Sequence, residues 1–240
     1  MRWIATGWNI HLLGQADRAT AAHFFDTPAS FGTGPRPARN PVPGGYAATP
    51  TLRYASYAQF AADIAAGAIS YPYPAVLYDP EDWPQTPPSE RRDPAAHMTM
   101  FARLAHAHGF YVIQAPARDL GNAGDAACAK RQGETLDQWY IRHRIAGTAA
   151  ACADAVVIQS QVRTTDLSAY QWLVSTAREH ALAANPGVTV LAELSTNYGD
   201  PGQMAAAARS VEVDGFYVSM TSPAIPRANA FFKEMLAAGC

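Results

Sequence analysis

The chain has 240 residues, 49% of them hydrophobic and 16% charged, with a formal net charge of −2. That length suits one large α/β domain better than two small ones, and the apolar share supplies a sizeable core. The charge balance excludes a global basic field for nucleic acid or anionic lipid, and no stretch is long and apolar enough to span a bilayer.

The first residues lack the long apolar run of a signal peptide. Cys128, Cys152 and Cys240 are scattered, without the close spacing of a zinc ribbon or a redox pair. The expectation is a cytoplasmic, reduced protein, or a secreted one if a signal peptide has been removed.

Taken in order, residues 2–8 read as a first strand, with Asn9 and His11 at its exit, and residues 16–25 as a helix. Residues 27–50 are rich in proline and glycine and read as one elaborated loop near the site, since a loop this long is usually functional or disordered. They do not form a dinucleotide turn, because the strand and helix of that motif are not placed around them. From residue 51 a regular alternation begins. Residues 51–55 are a candidate strand, and Ser56 caps a helix with Phe60, Ala61, Ile64 and Ala65 at helical spacing, closed by Gly67.

The stretch 75–83, Ala-Val-Leu-Tyr-Asp-Pro-Glu-Asp-Trp, organises the rest. It starts as a short apolar run, which reads as a buried strand, and ends in three acids and a tryptophan. Side chains alternate along a strand, so Leu77, Asp79 and, if the extended chain continues, Glu81 point the same way. Asp93-Pro94 then starts a helix that carries Met98 and Phe101 and runs to Gly109. Residues 110–115 form a strand exiting towards Arg118 and Asp119, and residues 135–150 form a helix. Strand 155–160, a helix from Asp166 to the Asn185-Pro186-Gly187 stop, and strand 188–194 with Glu193 follow. A short helix at 203–209, strand 215–220 and a final helix complete the pattern.

Buried strands alternating with helices imply right-handed βαβ units and a parallel sheet. Five such units follow residue 75, and two or three strands precede it. The expected fold is a (β/α)8 TIM-like barrel forming a single domain over residues 1–240. An open doubly wound sheet is the alternative, and the missing glycine-rich first turn stands against it.

Barrels of this kind build their active sites at the C-terminal ends of the strands. There the chain presents acids, amides, hydroxyls and an arginine. Two neighbouring carboxylates cannot both ionise comfortably, so one is held protonated and can act as an acid near neutrality. Glu81 lies further out and is the expected proton donor; Asp79, deeper, tunes it. Glu193 is a third catalytic candidate if its side chain turns inward. Trp83, Gln114, Arg118, Asp119, Gln159, Gln161, Asn197 and Ser219 are the expected substrate-binding groups. The plain alternative is a solvated acidic loop with amides in water, and Tyr78 reads as core packing. The seven histidines form no metal signature, and His106 and His108 suit the last turn of a helix, where cations are favoured. No metal and no organic cofactor are expected, and no nucleophile elbow or phosphate loop occurs.

The succession Asp79-Pro80-Glu81, Gln114-Ala115-Pro116, Gln159-Ser160-Gln161, Leu194-Ser195 and Asp214-Gly215-Phe216 resembles the second half of the chitinase-like family 18 glycoside hydrolases. In that family the fourth barrel strand ends in Asp-x-Glu with the glutamate as proton donor, and a later strand supplies Gln with a nearby Tyr for the substrate's acetamido group. The resemblance implies a barrel with Glu81 as acid. Ala75 and Leu77 stand where the family has further acids, and Gln161 where it has the tyrosine, so the barrel is supported more than chitin cleavage is. The expectation is acid catalysis on a small-molecule or carbohydrate substrate, most simply glycosidase-like hydrolysis. A lyase or cyclase of secondary metabolism using the same carboxylates, or a catalytically silent sugar-binding barrel, are the other readings.

Overall fold

The structure is a computed structural model that describes residues 1–35, 42–69, 71–123 and 129–239. Among these residues the elements run β1 (Arg2–Thr6), α1 (Gly7–Ala16), α2 (Arg18–Phe25), β2 (Phe31–Gly34), β3 (Thr49–Tyr54) and α3 (Tyr57–Ala65). They continue with β4 (Ala75–Tyr78), α4 (Pro88–Arg92), α5 (Pro94–Ala107), β5 (Tyr111–Gln114), α6 (Leu136–Arg142) and α7 (Ile145–Ala150). Then come β6 (Ala155–Ile158), α8 (Leu167–Ala184), β7 (Thr189–Ser195), α9 (Pro201–Arg209), β8 (Gly215–Ser219) and α10 (Ile225–Ala237). The strands form a closed parallel barrel in chain order, β1 to β8: a TIM-like (β/α)8 barrel. No described helix is long and apolar enough to cross a membrane.

The fold divides into two compact units, each discontinuous in sequence: Met1–Thr51, Ser160–Ser175 and Leu191–Cys240, and Leu52–Gln159 with Thr176–Val190. In the first unit, β1 pairs with β2 and β8, and β7 pairs with β8. Trp3 and its register partner Phe216 turn to the helices, where Trp3 meets Phe24 and Phe232 at ring-centroid distances of 4.9 and 5.4 Å. Their neighbours Ile4 and Tyr217 therefore face the barrel interior. Gly215 is required by close approach, since a Cβ there would come within 1.9 Å of the Arg2 carbonyl oxygen.

In the second unit, Tyr54, Phe60, Tyr78 and Phe101 form the layer between strands and helices, with Tyr78 stacked on Phe101 at 4.6 Å. Tyr78 is thus core, as its place in the apolar run suggests. Its hydroxyl donates to Glu90 at 2.7 Å. Glu90 is itself buried and also accepts from the Ser56 hydroxyl at 2.9 Å, the Tyr57 amide at 2.7 Å and the Ala58 amide at 3.0 Å. Ser56 in turn caps α3 by accepting from the Gln59 amide at 3.1 Å. The first turn of α3, whose amides have no intrahelical partner, is thus closed by one hydroxyl and one buried carboxylate at the positive end of the helix dipole.

Three local expectations differ from what the fold shows. Residues 27–50 are not one loop, because Phe31–Gly34 is a barrel strand and 49–50 belong to β3. The sequence Phe-Gly-Thr-Gly has little apolar bulk because the chain passes close by; a Cβ on Gly32 would lie 2.2 Å from the Val42 side chain. Residues 36–41 of that expected loop lie outside the described residues. The first strand ends at Thr6, whose hydroxyl accepts from the Asn9 amide and starts α1 at Gly7. The helix expected over 135–150 is broken at Arg144, which adopts a left-handed φ of 51° between α6 and α7.

Glu90→Ala should leave four donors short of an acceptor. An unsatisfied buried group costs about 1–3 kcal/mol, so the loss should be at least about 3 kcal/mol, read as a fall in the urea midpoint. Glu90→Gln, which keeps one carbonyl acceptor, should fall between it and the native chain. An unchanged midpoint in Glu90→Ala would show that the clamp does not hold α3.

Candidate active site

β4 ends at Tyr78, and the exits of β4 and β5 stay paired beyond the strands. The Ala115 amide donates to the Tyr78 carbonyl at 2.8 Å and the Ala117 amide to the Pro80 carbonyl at 3.0 Å. Because Tyr78 turns outward, Leu77 and Asp79 face the barrel interior. The same alternation turns Arg53 of β3 inward, since Tyr54 next to it lies against Phe60. Gln159 follows β6, whose outward Val156 pairs with Gln114, so Gln159 is on the inner face.

Those three side chains meet. The Gln159 amide nitrogen donates to Asp79 Oδ1 at 2.8 Å and to the Ala115 carbonyl at 2.9 Å, and Arg53 Nη1 lies 3.6 Å from Asp79 Oδ2. Asp79 is only 4% exposed. Burial pushes its carboxyl up from the ordinary 3.8 to about 6, against the opposing pull of Arg53 and the Gln159 hydrogen bond. Glu81, two residues further out and half-buried, is pushed from 4.5 to about 8 by burial first, then by the charges of Asp79 and Asp119. Burial raises Asp119 as well. It sits on the short 3-10 turn Arg118–Asn122, where its Oδ1 accepts from the Asp82 amide at 3.0 Å.

The loop carrying Glu81 is pinned by Thr86. The Thr86 hydroxyl oxygen accepts from the Glu81 amide at 3.2 Å and from the Trp83 indole at 2.9 Å, while its proton goes to the Ala55 carbonyl at 2.9 Å. Trp83 is therefore anchored inside the loop by its nitrogen, with a half-buried ring. Arg118 donates from Nε to the Gln159 carbonyl at 2.9 Å and pairs with buried Asp137, so it holds the β5 and β6 exits in place.

Gln114, expected to bind substrate, lies elsewhere. It faces away from the barrel interior and donates to the Met98 carbonyl of α5 at 2.9 Å. The reason is parity: it pairs with outward-facing Tyr78 and must share its side.

The other expected groups belong to the first unit. Glu193 pairs in register with Tyr217 and so faces the interior; its Oε1 accepts from the Ser219 hydroxyl at 2.5 Å. Ser160 braces the same strand, exchanging hydrogen bonds with the Glu193 backbone at 2.9 and 3.2 Å. Gln161 opens a short 3-10 turn, and its Oε1 is buried with no partner among the described residues. Asn197 is exposed and accepts from the Thr221 hydroxyl at 3.3 Å.

Arg53 and Thr86 were not singled out in the sequence. Arg53 was detectable as the one charged residue between buried Leu52 and Tyr54. Thr86 carried no such signal, because its role depends on where Ala55 and Trp83 come to lie. Among the described residues, no group of three or more His, Cys, Asp or Glu is arranged to hold a metal ion. His106 accepts or donates a hydrogen bond to Asp154 at 3.0 Å near the end of α5, a structural role, and Cys128 and Cys240 lie outside the described residues. Comparison of the chain with family models and with curated proteins finds no match.

What the cluster can do chemically follows from its protons. Burial and mutual repulsion raise both carboxyls, Glu81 the further of the two, which favours one proton held by the pair near neutrality, a carboxylic acid beside a carboxylate. A carboxyl raised in the folded state contributes stability below its unfolded value, and that contribution is lost as pH rises through the folded one. For Glu81 the window runs from 4.5 to about 8. Burial lowers His143 and His180, which act in the opposite sense, so the informative quantity is a difference. The stability of Glu81→Gln relative to the native chain should rise steadily between about pH 4.5 and pH 8, measured by urea unfolding at each pH. A pH-independent difference would show that Glu81 titrates normally.

Proposed function

We propose that the protein is an acid-catalysing barrel enzyme that cleaves a glycosidic or similar C–O bond in a small-molecule or carbohydrate substrate, with Glu81 as the proton donor. The observation that carries this reading is buried Asp79, fixed by Arg53 and Gln159, beside half-buried Glu81, whose carboxyl is pushed up by burial and by the Asp79 charge. A general acid works best when its pKa lies near the working pH, and burial beside a second carboxylate is how a glutamate reaches that range.

In this reading Glu81 gives its proton to the departing oxygen. Positive charge then develops on the carbon left behind, and the Asp79 carboxylate stabilises it until a water adds there and its proton returns to the pair, restoring Glu81. Gln159 and Arg53 hold Asp79 in one orientation, so little reorganisation is needed as the charge appears. Asp119, one hydrogen bond from the Asp82 amide, keeps the donor loop closed and adds negative potential that helps Glu81 retain its proton. Glu193 enters no step in this scheme. Burial of the acids, rather than a solvated acidic loop, also weighs against a purely structural role, because buried carboxyls without a full set of partners cost stability.

The chemistry is tested on a panel of aryl glycosides between pH 4 and pH 9. Glu81→Gln keeps shape and hydrogen bonding but has no transferable proton, and should lower kcat by about 10²–10⁴-fold with KM little changed. Asp79→Asn removes a charge that raises Glu81, so Glu81 should lose its proton at lower pH and the basic limb of the profile should move down. Full turnover in Glu81→Gln would remove this residue from the mechanism. A panel that binds without turnover, with affinity unchanged in Glu81→Gln, would identify a sugar-binding barrel instead.

A further inference from the structure

We propose that Arg91 and Arg92 form an anion-binding subsite beside Glu81, and that the substrate carries a carboxylate, sulfate or phosphate group next to the bond that is broken. The substrate half of this inference rests on the proton-donor reading above; the binding half does not.

A cavity of about 310 Å³ is lined by Asp82, Pro88, Arg91, Arg92, Asn122 and Ala123. It adjoins the carboxyl cluster through Asp82, which directly follows Glu81 in the chain and whose amide donates to Asp119. Its size sits at the lower end of small-ligand pockets, roughly 300–1,000 Å³, enough for one sugar ring or a comparable group.

The charges in the wall do not cancel. Arg91 Nη1 donates to Asp82 Oδ1 at 2.6 Å, which neutralises that carboxylate and fixes the guanidinium. Arg92 is exposed and forms no ion pair among the described residues, so the wall keeps one positive charge. Arg91 Nε is a buried donor with no acceptor among the described residues. A buried N–H left unmade is costly, and an oxyanion drawn in against this guanidinium would supply the acceptor it lacks.

Cations do suit a helix C-terminus, where both arginines lie. But α4 has five residues, and its weak dipole provides no acceptor for Arg91 Nε. A planar guanidinium with one edge already held, beside a second arginine, matches the flat fork of a carboxylate and the oxygens of a phosphate or sulfate.

The subsite is tested on full-length Glu81→Gln, so that nothing is consumed, with three probes: D-glucuronate, D-glucose 6-phosphate and uncharged D-glucose. Affinity is measured by calorimetry, and the Arg91 Nε–H resonance by ¹⁵N NMR. At least one of the acids should bind saturably and move that resonance, with glucose at least about tenfold weaker. Arg92→Gln should weaken the bound acid by about 10- to 100-fold, the range of a hydrogen bond to a charged group, and leave glucose unchanged. Which acid responds more strongly distinguishes a carboxylate from a phosphate or sulfate source.

In these binding measurements the subsite is overturned by saturable binding of neither acid, by glucose binding as well as both acids, by acid affinity unchanged in Arg92→Gln, or by an Arg91 resonance unmoved at saturation. Because the readout is binding to a protein without the donor, failure of the proton-donor reading leaves it standing. Conversely, neutral glycosides turned over by the native enzyme as fast as acidic ones, with no effect of Arg92→Gln, would remove the subsite and leave Glu81 its role.

Discussion

The buried carboxylate of Glu90 is the interaction on which the second compact unit depends. One side chain accepts from the Tyr78 hydroxyl on β4, from the Ser56 hydroxyl, and from the first two amides of α3, while its own backbone belongs to α4. Three consecutive elements are joined through two oxygen atoms. Everything between β4 and α4, including Asp79, Glu81, Asp82 and Trp83, is the chain that spans those joined points. A loop of that length with proline at Pro80, Pro84 and Pro87 has little freedom once both ends are held. The position of the candidate acid is therefore a consequence of where a different acid is buried.

The two glutamates show how environment divides one residue type into two roles. Glu90 has donors around both oxygens and serves as an anchor. Glu81 is raised by burial and by the charges of Asp79 and Asp119, which outweigh the opposing effects of Arg53 and Gln159 and favour the protonated form. Asp79 lies between these cases, with one amide donor and one arginine that oppose its burial without overcoming it. The pair is useful chemically because it is unfavourable electrostatically. A site like this survives because the surrounding unit, with its clamp and its aromatic layer from Tyr54 to Phe101, can bear the cost.

The alternation of strands and helices was legible from residue 51 onward because most strands are short apolar runs and several helices open on a capping side chain. Asp93, Thr135 and Asp200 all act as the caps their types suggest, the last two with a returning glutamine side chain. β2 was not legible. Phe-Gly-Thr-Gly has only Phe31 and Thr33 to mark a strand, and Gly32 is explained only by the Val42 side chain packed on it. The break at Arg144 was hidden in the same way: nothing in Ile-Arg-His-Arg-Ile announces a left-handed residue.

Period-two alternation by itself determined that Asp79 shares a face with Leu77, and so that two acids leave the end of a buried strand. It did not determine which face that is. The inward turn of Asp79, Arg53 and Glu193, and the outward turn of Gln114, were decided by register between strands and by the aromatic side chains that had to reach the helices. A one-residue difference in parity reverses a side chain's destination, and the sequence around Gln114 reads equally well both ways. The charge of Asp79 on Glu81 is local in the sequence, but the burial that raises Glu81 most belongs to the tertiary structure. A pKa is set by the distance to other charges and by the exclusion of water, and Asp119, Arg53 and Gln159 reach it from 38, 28 and 78 residues away in the chain.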